Sequence, residues 1–332
     1  MKNSEFEKKN GDRWREYEQL LLSAEKRGLG LDVSRLPAMF REVCTDLALA
    51  RHRMYRQPLN EHLNSLVIRG HKLMNRRLGG TWEAILRFLA VGFPQAVRRE
   101  WRLLIVATLT FILPLIAVAL SGVYWPDYSW IQAILGLETM RSMDVMYGSY
   151  EDMSSGLRSE YGSNFAMFSF YILNNVRIDF QIFAGGIFAC VGSLFFLFYN
   201  GIFFGAIVSY IHMACSTKAF YTFVAGHSSF ELIGMVVAGM AGLRIGLGLL
   251  KPGRMTRGKS LVEAGKKSLP LIFGAALMTF FAAIIEGFWS AEPMPPVVKY
   301  TVGIGLWFVC FAWLGLAGLG VQQKKEGEVN AA

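Results

Sequence analysis

His227 and Glu231 are four residues apart, so on a helix an imidazole and a carboxylate share one side of a single turn. A second carboxylate, Glu286, falls near the end of a later apolar run. An ionisable side chain inside a membrane segment costs roughly 2.5–3.5 kcal/mol on insertion scales, so it tends to face protein or water and to serve a purpose. Three such groups at similar depth can share a proton, a cation or a binding partner. The same residues can also act separately, by taking up interfacial water or capping their own helices. Further polar groups stand among apolar neighbours: Asn174, Asn175 and Arg177 beside Asp179, then Asn200 with Gly201, then Arg244. Arg244 could pair with Asp179 or reach toward headgroups. A metal centre from His212, His227 and Glu231 matches no standard ligand spacing, so no metal ligand and no cofactor is assigned. The chain has no HExxH, GxSxG or Walker pattern, no catalytic residue is named, and an enzyme is not expected.

The elements that would position these residues are set by charge. Of 332 residues 53% are hydrophobic, with a mean hydropathy of +0.34, too apolar for an ordinary soluble domain. Residues 1–102 hold 20 Lys and Arg against 12 Asp and Glu, a balance of +8 in a chain of +9. A basic region of that kind suits an anionic lipid surface. Nucleic acid is not expected, because no recognition motif accompanies the charge. Cys44, Cys190, Cys215 and Cys310 form no metal knuckle and no CxxC pair.

Beyond residue 102 the chain runs in long uncharged blocks, which predict membrane spans at about 103–123, 165–178, 180–213, 230–250, 269–289 and 300–321. Residues 165–178 are the weak member. Residues 180–213 are too long for one straight span, and Asn200-Gly201 is the expected break. Arg98, Arg99 and Arg102 precede the first span, and Lys251, Arg254, Arg257, Lys259, Lys266 and Lys267 follow the fourth. By the positive-inside rule both places are cytosolic, as are the two termini. Residues 124–164, with six acids and only Arg141 and Arg158, form an outer loop. The first span is expected to double as the targeting signal.

Before the membrane the spacing predicts three amphipathic helices. Trp14, Tyr17, Leu21 and Ala24 stripe the first, which Gly28-Leu29-Gly30 ends. Leu36, Phe40, Val43, Leu47 and Ala50 stripe the second, opened by Ser34 and Pro37 and followed by Pro58. Leu63, Leu66, Val67, Gly70 and Leu73 or Met74 stripe the third, with Gly79-Gly80 as its break. Residues 81–102 carry Trp82, Ile85, Leu86, Leu89 and Phe93 on one side. They read as an interfacial elbow, or as a fourth helix of the soluble bundle. Gly201 with Gly205 and Gly242 with Gly246 are GxxxG pairs suited to close helix packing.

Several stretches together resemble one known family. They are Trp14, Asp46-Leu47-Ala48-x-Ala50-Arg51, Leu63-Asn64-x-Leu66-Val67 and Arg69-Gly70-His71 before the membrane. Within it they are Asn174-Asn175-Val176-Arg177, Asn200-Gly201 with Gly205, and Gly226-His227 with Glu231. Ala238-Gly239-x-x-Gly242-Leu243, Lys251-Pro252-Gly253 and Ile285-Glu286-Gly287-Phe288 complete the set. The chain resembles the stage II sporulation protein M family of multi-spanning membrane proteins. The resemblance implies a scaffold that assembles partners, with a MoxR-type ATPase and an RDD-family membrane protein as frequent associates of the non-sporulation relatives. Its long basic amino-terminal region is similar to those relatives, so no engulfment role is assumed.

The reading is an all-α polytopic membrane protein of about six membrane helices. It has a cytosolic helical domain at 1–80, an elbow at 81–102, a membrane domain at 103–323 and a cytosolic tail at 324–332. It belongs to the bacterial cytoplasmic membrane as a scaffold or complex subunit, with lipid, envelope proteins and copies of itself as partners. The alternative is an ion- or proton-coupled transporter or channel using His227, Glu231 and Glu286.

Overall fold

The computed structural model describes residues 3–27, 35–74 and 81–319. The stops expected at Gly28-Leu29-Gly30 and Gly79-Gly80, the Ser34 cap and the tail at 324–332 lie outside the described residues. The chain divides into two compact units, Met1–Ile85 and Leu86–Ala332.

In the first unit α1 (Asn3–Arg27), α2 (Leu36–His52) and α3 (Gln57–Met74) turn their stripes toward one another. Trp14, Tyr17, Leu21, Val43, Leu47, Ala50, Leu63 and Leu66 are all buried in one core. Phe6 and Met39 join them, and Phe40 packs only at the edge. Pro58 opens α3 instead of merely ending α2, because a first helical turn has no use for the N–H that proline lacks. Asp46, although charged, is buried. Its Oδ2 accepts from Trp14 Nε1 at 2.9 Å and pairs with Arg13, tying α2 to α1.

The boundary between the units falls within α4 (Thr81–Arg87), and the second unit continues with a π-helical turn at Phe88–Gly92 and α5 (Phe93–Arg99). Phe93 and Val97 are buried in this unit's main core, and Trp82 and Leu86 are exposed. The segment expected as an elbow is helical from 81 to 99, with the π turn in its middle. Next come α6 (Trp101–Tyr124), α7 (Tyr128–Tyr147), α8 (Met153–Tyr161), α9 (Asn164–Gly185) and α10 (Val191–Ala214). The remainder is α11 (Thr217–Ala225), α12 (Ser228–Leu250), α13 (Arg257–Ile285) with a π-helical end at Glu286–Ser290, and α14 (Pro296–Leu316).

Five of these helices are long and apolar enough to cross a membrane: α6, α10, α12, α13 with its π turn, and α14. Helix α9, at 22 residues, is also long enough, but Asn174, Asn175, Arg177 and Asp179 dilute its apolar character. Two expected boundaries are corrected. The run at 165–178 does not stop there but continues to Gly185, and α10 passes unbroken through Asn200-Gly201. The polar residues near 174–179 are no helix end, because Asn175 and Asp179 find partners on neighbouring helices. The turn falls at residues 186–190, where Ala189 and Cys190 take positive φ of 52° and 72°. Asn200 stays helical by donating to Phe196 O at 2.8 Å, and Gly201 lets α10 lie against the α6 backbone at Phe111. Residues 124–164, expected as a loop, hold α7 and α8, with a kink in α7 at Gly136.

Helix α12 is the centre. It packs against α6, α9, α10, α13 and α14, and its apolar window is 72% buried against 17% for α6 and α14. A β-carbon at Gly186 would strike the Gly242 backbone, and one at Gly242 would strike Ser193 Oγ and the carbonyls of Ile182 and Phe183. At one end of the unit Arg98 donates to the carbonyls of Leu314 (2.5 Å) and Ala317 (2.6 Å), closing the carboxyl end of α14. Arg244 pairs with Glu100 at 3.0 Å. The suggested Arg244–Asp179 pair does not form, since Asp179 accepts from Thr279 Oγ1 on α13. Toward the other end α7, α8 and α11 form a cap around Tyr147, Leu157, Ala219 and Phe223, with Met167 of α9 and Ala291 in the same cluster.

Candidate functional site

Beneath that cap three helix segments deliver the polar residues. His227 immediately precedes α12 and Glu231 lies one turn into it, so the i, i+4 relation holds across the helix start. Glu286 opens the π turn that ends α13. A π turn widens a helix by one residue and commonly marks a functional position. Ser290 closes the same turn. Asn174 and Asn175 come from the middle of α9.

His227 Nε2 stands 3.7 Å from Glu231 Oε2 and 3.7 Å from Glu286 Oε1. One ligand-type atom from each residue lies within 4.8 Å of the other two. The structure brings the three side chains together. His227 and Glu286 are enclosed, at 2% and 4% exposure, and Glu231 is partly buried. The other atoms of each side chain are accounted for in turn. His227 Nδ1 lies 3.1 Å from Ser290 Oγ, and Lys299 Nζ donates to Ser290 O at 2.6 Å. Glu231 Oε1 accepts from Asn175 Nδ2 at 3.0 Å, and Asn174 Nδ2 donates to Asn175 Oδ1 at 3.0 Å. Glu286 Oε2 is buried with no hydrogen-bond partner. Phe223 of α11 covers the imidazole edge-on at 5.2 Å between ring centres.

A cavity of about 600 Å³ adjoins this cluster. Tyr171, Asn174, Asn175, Gln181, Asn200 and Glu231 line it, so Glu231 has one side toward open volume. Among the residues singled out from sequence, Asn174, Asn175 and Asn200 therefore belong to the surroundings of the site. Arg177 is exposed on α9, Gly201 serves helix packing, and Arg244 stays with Glu100. His212 is also elsewhere. It is exposed on α10, with Nδ1 on Val208 O and its ring against Tyr221, so the metal set including it does not form. Ser290 and Lys299 were missed. The available signals were weak: Ser290 follows Glu286 by four residues, and Lys299 is a lone charge opening an apolar run.

What the arrangement can do follows from its parts. Two carboxylates and an imidazole at 3.7 Å are too far apart for direct hydrogen bonds, whose N···O length is about 2.7–3.2 Å. They are close enough to share a small positively charged species. Three of the stretches that carry the family resemblance, around Asn174-Asn175, Gly226-His227 and Ile285-Glu286, converge here.

Residues 103–291 match the family described as Stage II sporulation protein M. The chain belongs to this family. The matched span contains Asn175, His227, Glu231, Glu286 and Ser290, whereas Lys299 lies beyond it. Residues 4–76 match a separate domain of unknown function (DUF8413), in accord with a first unit that has its own core. No curated protein and no solved structure matched the chain.

Proposed function

We propose that this Stage II sporulation protein M family member is a scaffold or complex subunit of the bacterial cytoplasmic membrane and not an enzyme. One observation carries the reading: the central helix α12 is largely buried and packs backbone to backbone at Gly242 against Gly186, the residue that follows α9. A fixed core of this kind suits a platform better than a machine that must separate its helices. In this reading the end bearing Arg98, Arg99, Arg102 and Lys251 faces the cytosol by the positive-inside rule, together with both termini. The cap of α7, α8 and α11 then faces outward. The basic first unit and this cap are the docking surfaces, and by family resemblance a MoxR-type ATPase and an RDD-family protein are the first partners to seek.

The test is affinity purification of the tagged chain from native membranes, with and without residues 1–85. Loss of co-purifying proteins on deletion, with the membrane unit still inserted, supports the scaffold. Retention of the same set by the shortened chain counts against docking through the first unit.

A second reading, an ion- or proton-coupled transporter or channel, is favoured by the unpartnered Glu286 Oε2 in the site. Under it, Glu231→Gln with Glu286→Gln abolishes solute flux in proteoliposomes and leaves partner capture intact.

A further inference from the structure

We propose that His227, Glu231 and Glu286 bind one divalent transition-metal ion, zinc being the best match. The inference rests on the geometry of the cluster and goes beyond the scaffold reading, which it neither needs nor supports.

Three ligand atoms converge from three sides: Nε2 of His227, Oε2 of Glu231 and Oε1 of Glu286. Tetrahedral zinc bonds of about 2.0–2.2 Å separate neighbouring ligand atoms by about 3.3–3.6 Å. The observed 3.7 Å from the imidazole to each carboxylate needs a contraction of a few tenths of an ångström, and the two carboxylate oxygens, within 4.8 Å of each other, need to close by at most about 1.5 Å. Three protein ligands leave the fourth position for water or a partner's group. The imidazole argues against calcium and magnesium, which prefer oxygen ligands throughout.

The outer contacts are those of a held ligand set. With Nδ1–H donated to Ser290 Oγ, the Nε2 lone pair is aimed at the two carboxylates. Lone pair facing carboxylate is repulsive unless a cation sits between them. Asn175 binds Oε1 of Glu231 and so turns Oε2 inward, with Asn174 steadying Asn175. Glu286, 4% exposed, is the independent observation: among the described residues its buried Oε2 has no hydrogen-bond partner, so the site holds an unsatisfied acceptor. Charge agrees as well. Among the described residues no Lys or Arg forms an ion pair with Glu231 or Glu286, and Lys299 bonds the Ser290 carbonyl. A divalent ion with a neutral imidazole neutralises two buried carboxylates.

The experiment uses the full-length chain purified in detergent, stripped with a chelator and titrated with Zn²⁺ alone. One ion per chain is expected by elemental analysis, with X-ray absorption reporting nitrogen and oxygen ligands and no sulfur. Asn175→Ala should weaken zinc binding roughly 10- to 100-fold, the range for residues that orient a ligand, and His227→Ala or Glu286→Gln by more. His212→Ala should bind as the parent does. Thermal unfolding keeps the proposal testable if a variant folds poorly. Zinc should raise the melting temperature of the parent and not that of Glu286→Gln. Zinc bound equally by Glu286→Gln, or a parent whose melting zinc leaves unchanged, overturns the proposal. So does zinc lost in parallel by His212→Ala.

Discussion

Asn175 donates a 3.0 Å hydrogen bond to Glu231 Oε1, and through it α9 decides which oxygen of the α12 carboxylate faces His227. The two residues are 56 positions apart, so this relation belongs to the tertiary structure alone. It also explains why a polar patch sits in mid-helix. Replacing Asn175 by Leu removes the donor and leaves a buried carboxylate oxygen unsatisfied. The expected cost is about 1–3 kcal/mol of stability, read as a lower melting temperature of the purified chain. Asn174→Leu, one step further out and exposed, should cost less.

A second prediction concerns Asp46. It accepts from the buried Trp14 indole and pairs with Arg13. Asp46→Ala leaves the indole N–H without an acceptor in the core of the first unit. A loss of about 1.5–3 kcal/mol is expected in urea unfolding of residues 1–85. Trp14→Phe in the Asp46→Ala background should then cost less than Trp14→Phe alone, because the two changes share one interaction.

Tyr17 and Gly70 give a paired prediction of opposite sign. A β-carbon at position 70 would collide with the Tyr17 hydroxyl, which is buried and has no hydrogen-bond partner among the described residues. Gly70→Ala should therefore destabilise the first unit by about 1–3 kcal/mol through overpacking. Tyr17→Phe removes the unsatisfied hydroxyl and should stabilise it by about 1 kcal/mol. Equal signs for the two substitutions would contradict the packing described.

The same tyrosine sets a pH dependence. Burial first, and then the neighbouring Cys44, push the Tyr17 phenol from 10.0 up to about 12, against an opposing pull from Arg69. A group whose folded pKa is raised contributes stability that is complete below its unfolded value and lost as pH rises toward the folded one. The first unit should thus lose stability between about pH 10 and pH 12. Tyr17→Phe should flatten that part of the urea midpoint profile, and an unchanged slope would count against a buried, protonated phenol.

Much of this was legible in the sequence, and the rest for definite reasons was not. The long, predominantly apolar runs of α6, α12, α13 and α14 announce themselves because a membrane-crossing helix needs about 20 such residues. The stripe of Leu63, Leu66 and Leu73 does the same for α3. The boundary between α9 and α10 was misplaced because polarity at Asn175 and Asp179 was read as an end. In fact Glu231 and Thr279 satisfy those groups from other helices. Local spacing revealed His227 with Glu231, and a comparison of depths added Glu286. Ser290 and Lys299 were out of reach, since their role depends on the π turn and on where α14 passes.

The most direct test of a locked membrane core is to weld it. A β-carbon at position 234 would stand 3.5 Å from Met278 Cβ, within the span of about 3.5–4.5 Å that a disulfide bridges. Gly234→Cys with Met278→Cys, in a chain whose Cys44, Cys190, Cys215 and Cys310 are replaced by alanine, joins α12 to α13 on oxidation. If the core is a fixed platform, the oxidised chain captures the same partners from native membranes as the reduced chain. Loss of capture on oxidation, restored by a reductant, would mean that α12 and α13 must move apart, and the platform account would be wrong.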